Sequence, residues 1–239
     1  MARKVVEAGK PSVAQKLGVE ALGTFFVTLV AIGVDIGYYA GGNVDYVSRW
    51  LARGFITAAM VYAFSGISGA HVDPAVSLGF ALRRAMPVGQ MLLYWISQFA
   101  GGLVAAAVAA ALWKSDLLFG ASRPGPKYTQ FEAFVAEVVL TFLLMIVILA
   151  CARDEPVIGR QAALAVGLTV AAAGFFAGPI SGASMNPART IPAQLLAGAG
   201  GLGWIYAAGP CLGAALAAAA MQFLSARPRR GERKAARGD

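Results

Sequence analysis

Two tripeptides carry the clearest chemistry in this 239-residue sequence: Asp73-Pro74-Ala75 and Asn186-Pro187-Ala188, the second followed at once by Arg189. Proline is tolerated in the first turn of a helix, and the carboxylate or amide before it is a good cap for the unsatisfied backbone donors there. Each tripeptide therefore starts a helix, and a helix start presents free N–H groups and partial positive charge to whatever lies in front of it. Other polar residues in apolar surroundings are few: Glu20, Glu137, Arg53 and the single histidine, His71. Such groups suit the solvation of a small molecule rather than bond-making. One histidine and two separated cysteines, Cys151 and Cys211, form neither a zinc site nor a nucleophile with its base, so no enzyme, metal or cofactor is expected. The two cysteines read as buried, inert thiols.

The elements that must hold these residues are membrane spans. Hydrophobic residues make up 58% of the chain and charged residues 13%, with a mean hydropathy of +0.66, too little charge to cover a soluble domain of this size. Apolar runs at about 17–36, 51–68, 88–113, 131–151, 161–178 and 202–224 are continuous rather than alternating, which predicts an all-α membrane protein of six transmembrane helices and not a barrel. The first run has no small-residue cleavage site and reads as a retained helix. Arg3, Lys4, Lys10 and Lys16 precede the first span, Arg83 and Arg84 the third, and Arg153 and Arg160 lie between the fourth and fifth. With the tail after the sixth, enrichment of positive charge inside puts both termini in the cytoplasm, in a plasma or cell inner membrane. The net charge of +8 owes much to the tail, where Arg227, Arg229, Arg230, Arg233, Lys234 and Arg237 are placed to contact anionic lipid. No nucleic-acid-binding module accompanies them.

Two stretches, 65–82 and 178–196, are too apolar for solvated loops yet hold clustered glycine and proline, and they predict re-entrant half-helices. They are copies. Ile67-Ser68-Gly69-Ala70 recurs as Ile180-Ser181-Gly182-Ala183, and Pro74-Ala75 as Pro187-Ala188, both 113 positions on. Three spans per half is an odd number, so the second copy enters from the opposite face and the two half-helix starts meet near the midplane. Backbone of that kind is tolerated only where protein buries it or water solvates it, which implies a central aqueous path. The chain thus reads as a single membrane domain over 1–239: a basic N-terminus (1–16), a first half (17–113), a second half (131–224) and a basic tail (225–239).

With SGAHVDPAV beside Gly69, SGASMNPAR ending at Arg189, Glu20-Ala-Leu-Gly-Thr-Phe in the first span and Ala136-Glu137 in the fourth, residues 16–224 resemble the aquaporin and glycerol-facilitator family, the major intrinsic proteins. The resemblance implies an inverted 3+3 repeat and a homotetramer with one pore per subunit. It places an outer selectivity filter at Arg53, Gly174, Ala183 and Arg189, makes Glu20 and Glu137 supports of the two re-entrant loops, and gives His71 a pore-wall role. The small residues Gly174 and Ala183 then leave room for more than water.

Two departures stand out. Asp73 replaces the family's asparagine. It remains a cap, either ionised, in which case it offsets the positive field of the helix ends, or protonated by burial. Arg53 stands where relatives carry an aromatic or small residue; it is expected to snorkel outward, the alternatives being a narrowed opening or, with Arg189, an anion-attracting mouth. The expected function is a passive channel for water, extending to small uncharged solutes such as glycerol. An ion or anion pathway built on Arg53 and Asp73, and a nontransporting scaffold, are the competing readings.

Overall fold

The computed structural model describes residues 10–114, 117–152, 157–225, 228 and 230–238. Arg3, Lys4, Arg153, Arg227 and Arg229, used above to orient the chain, lie outside the described residues, as does the side chain of Arg160. Among the described residues six helices are long and apolar enough to cross a membrane. They are α1 (Val13–Tyr39), α2 (Tyr46–Ser68), α4 (Val88–Trp113), α6 (Gln130–Cys151), α7 (Val157–Ser181) and α9 (Gly203–Leu224). Between them lie two half-helices, α3 (Pro74–Leu82) and α8 (Pro187–Leu196), and a single turn, α5 (Leu117–Gly120). A short tail helix, α10 (Arg230–Arg237), follows. The expected span at 88–113 is reproduced. The first two helices start earlier than their apolar runs because polar residues cap them: Ser12 forms a capping box with Gln15, and Asp45 accepts from the Val47 and Ser48 amides.

The halves are inverted copies. α1 packs along α4 as α6 packs along α9, and α2 meets α7 at the seam. There Gly54 and Gly167, again 113 positions apart, face each other so closely that a Cβ on either would overlap the other's carbonyl oxygen. Each half-helix crosses over: α3 lies on α9 and α8 on α4, so neither half completes its own re-entrant loop. Large apolar side chains such as Phe55, Ile96, Phe131, Phe176 and Phe223 point outward, as lipid solvent allows.

The tail differs from the lipid-contacting extension expected from its composition. α10 folds back against α2 and α3, and Ala236 joins the apolar cluster around Phe80, Met145 and Met221. Glu232, fully buried, pairs with buried Arg83 at 3.1 Å, and Arg83 also donates to Gln222 Oε1 at 2.6 Å. Arg237 donates to the Ala85 carbonyl at 3.0 Å, and Lys16 donates to the Arg237 carbonyl. The last contact puts both ends of the described chain on one face, the terminal face.

Candidate functional site

Each re-entrant loop leaves its helix through a left-handed glycine and then holds two non-glycine residues left-handed. Gly69 (φ 92°) is followed by Ala70 (48°) and Val72 (47°), and Gly182 (83°) by Ala183 (42°) and Met185 (57°). Left-handed non-glycine backbone costs roughly 1–3 kcal/mol per residue and persists only where its surroundings hold it. A buried carboxylate does so in each half. Glu20 Oε1 accepts from Ser68 Oγ (2.5 Å) and the His71 amide (2.9 Å), and Oε2 from the Val72 amide (2.7 Å) and Gln98 Nε2 (2.8 Å). Glu137 accepts from Ser181 Oγ (2.7 Å) and the Ser184 (2.9 Å) and Met185 (2.7 Å) amides. Tyr94 and Tyr206 each donate to the loop's first carbonyl, on Ser68 and Ser181, at 2.7 and 2.6 Å.

The loops bring the two half-helix starts together. Asp73 caps α3 by accepting from the Ala75 amide at 2.8 Å, with Pro74 in the first turn. Asn186 caps α8 by accepting from the Arg189 amide at 3.1 Å, and its Nδ2 donates to the Val72 carbonyl at 2.8 Å, tying the second loop to the first. A carboxamide has two N–H donors, so one remains for a solute, whereas an ionised Asp73 has none. His71 stacks on Phe80 at 4.8 Å and holds Ser77 Oγ through Nδ1 at 2.9 Å; among the described residues Nε2 has no protein partner.

At the opposite, far face, Arg53 departs from expectation. It does not snorkel outward: it is 4% exposed, stacks on the Trp50 indole at 4.4 Å and donates to the Gly182 carbonyl at 3.0 Å. Its other amine donates to Asp35 Oδ2, which also accepts from Arg189 at 2.7 Å, while Asp35 Oδ1 accepts from Arg49 Nε at 2.6 Å. A buried carboxylate supplies what snorkelling would have sought from water. Arg189 further donates to Ser122, and Thr190 bonds to Ser184. Gly174 also departs. The room expected above it is filled by the fully buried Trp50 ring, which a Cβ at Gly174 or Gly178 would overlap. Ala183, by contrast, is buried but forms part of the lumen wall.

The lumen is a cavity of about 620 Å³. It runs from Arg53, Ala183 and Arg189 at the far end, between Asp73 and Asn186 and past His71, to Ala152, Gly231 and Lys234 at the terminal face. Between these polar stations its wall is aliphatic, with Val27, Val61, Leu144 and Val166. Cys151 is half-buried and lines the terminal-face end, unlike the buried thiol expected, because α6 ends there. Asp35 sits at the end of the first apolar run and Trp50 just before the second, where neither stands out as a site residue. Arg49 and Arg53, four positions apart on one apolar helix, were the available signal that a carboxylate must face them.

Six crossing helices, an inverted repeat and two half-helices meeting in a lumen define a polytopic membrane channel. The sequence pattern described as "Major intrinsic protein" matches residues 7–221, and the chain belongs to that family, whose members are passive channels and not enzymes. It is 38% identical over 215 residues to Aquaporin NIP2-1 of Zea mays, spanning 88% of this chain and 71% of that one. It is 40% identical over 215 residues to Aquaporin NIP1-3 of Oryza sativa subsp. japonica (88% and 74%). The fold matches the X-ray structure of the aquaglyceroporin from Plasmodium falciparum with a TM-score of 0.79 at 22% identity, over 88% of this chain and 96% of that one.

Proposed function

We propose that the chain conducts water and small uncharged hydroxylic solutes such as glycerol down their gradients. Arg53, Ala183 and Arg189 form the narrow far mouth, and Asp73 and Asn186 the midpoint. The observation that carries this reading is the lumen itself: donors and acceptors at two stations, hydrocarbon between them, and a helix start aimed in from each side. Polar stations replace hydration along the path, and aliphatic walls hold solutes weakly enough to leave. The relatives' names, aquaporin and aquaglyceroporin, support the same solutes. The anion-mouth alternative loses its support at Arg53, whose guanidinium is met by Asp35 rather than offered to the lumen alone.

The width element is Ala183 rather than Gly174. The assembly proposed is a homotetramer in a plasma or cell inner membrane, with the terminal face cytoplasmic, as positive charge at Lys10, Lys16, Arg83 and Arg84 supports. Proteoliposomes test the reading. Osmotic shrinkage and glycerol uptake should both exceed those of protein-free vesicles, and Ala183→Phe in normally assembled protein should lower glycerol uptake far more than water flow. Parity with protein-free vesicles contradicts the channel function. Unchanged glycerol uptake in Ala183→Phe removes Ala183 as the width element.

A further inference from the structure

The far mouth holds three buried guanidiniums, Arg49, Arg53 and Arg189, and one buried carboxylate, Asp35, 2% exposed. Asp35 is not in the cavity wall; it acts through the arginines that are. Its Oδ2 is shared by Arg53 and Arg189, one from α2 and one from α8, so a single atom ties the two sides of the mouth together. Arg49, held by Oδ1, is boxed in by the rings of Tyr38, Tyr39 and Trp50 at 4.9, 4.6 and 4.3 Å, which gives its charge a partner outside the lumen. Arg53 shares only the Trp50 ring, at 4.4 Å, and two guanidiniums meeting at one oxygen, as Arg53 and Arg189 do, repel strongly without the charge between them.

We propose that Asp35 is a specificity-determining residue of this pore: it clamps Arg53 and Arg189 in place and offsets part of their charge, so the mouth rejects small cations without admitting small anions. This rests on the lumen being a neutral-solute pathway. Removing the carboxylate's charge while keeping its shape leaves Arg53 and Arg189 uncompensated in the wall of the far mouth, and a ring of that sign selects anions. Asp35 is a positioning residue, and its effect is read as ion selectivity, which loosened packing alone would not direct toward one sign.

The experiment measures chloride permeability, as current and reversal potential under a chloride gradient, together with osmotic water permeability in proteoliposomes of the full chain. Asp35→Asn should raise chloride permeability by about tenfold or more, equivalent to about 1.4 kcal/mol, with the reversal potential moving toward the chloride value and water flow retained. The double variant Asp35→Asn with Arg53→Gln removes one charge of each sign and should exclude chloride as the native protein does. It also serves if the single variant does not assemble. Normal water flow with unchanged chloride permeability in Asp35→Asn overturns the proposal, as does a double variant that leaks chloride. Native protein with no osmotic permeability overturns the channel reading and this one with it.

Discussion

The two re-entrant loops are one piece of architecture built twice, but several of the residues they present to the lumen are not copies. At the repeat offset Gly69 answers Gly182 and Ser68 answers Ser181, while Glu20 and Glu137, offset by 117 positions instead, hold the corresponding loop amides. Asp73, however, answers Asn186, His71 answers Ser184, Val76 answers Arg189, and Arg53 answers Val166. Strained backbone tolerates little variation, since each loop needs its left-handed residues and its carboxylate at once. Lumen-facing positions outside the left-handed backbone, such as those of Arg53, Asp73 and Arg189, are free of that demand. The duplication thus accounts for the frame, and the charged filter residues proposed above, Arg53 and Arg189, stand where the copies differ.

The largest expected effect strikes the shared frame. Glu20→Ala strands four donors, those of Ser68, His71, Val72 and Gln98, and Glu137→Ala strands three. At roughly 1–3 kcal/mol for each buried donor left unmet, both should lose at least about 3 kcal/mol, Glu20→Ala the more. The asymmetry has a visible source: Pro210 stands to Tyr206 as Gln98 stands to Tyr94, and it offers no donor. Thermal unfolding in detergent, followed by tryptophan fluorescence, measures the order; a Glu137→Ala loss exceeding that of Glu20→Ala would break the comparison.

A smaller effect separates frame from filter at the far mouth. Gly174→Ala drives a methyl group into the Trp50 ring and should cost about 1–3 kcal/mol while leaving the glycerol-to-water permeability ratio unchanged. Unaltered stability with a reduced glycerol ratio would return Gly174 to the filter.

The smallest structural effect is expected at the midpoint, where the copies differ by one atom type. Asp73→Asn exchanges one good cap for another, so stability should move by no more than about 0.5 kcal/mol. The functional change is larger in kind: the variant gains a donor and loses any negative charge that offset the helix ends, so cation conductance should stay as low as the native protein's while water flow persists. Larger cation conductance in assembled Asp73→Asn would contradict that electrostatic role.

The fold was legible in the sequence because membrane spans and an inverted repeat write themselves in apolar runs and recurring motifs, and the resemblance drew attention to Glu20, Glu137, Asn186 and Arg189. What escaped was what depends on contacts between distant elements. Arg53 turns inward because Asp35, 18 positions earlier on another helix, waits for it. Gly174 is filled because Trp50 on α2 lies across α7. The tail folds back because Arg83, read from sequence as an orienting charge, is buried and needs Glu232. In each case a charged or small residue took its role from a partner that spacing along the chain does not reveal.

The central claim is that the lumen between Asp73 and Asn186 passes neutral molecules and not ions. Osmotic water permeability and membrane current recorded on the same proteoliposome preparation, with assembled protein counted in each, test it most directly. Shrinkage should be faster than in protein-free vesicles, with no current above theirs under potassium or chloride gradients. Current whose reversal potential follows either ion, or shrinkage no faster than in protein-free vesicles, would contradict it.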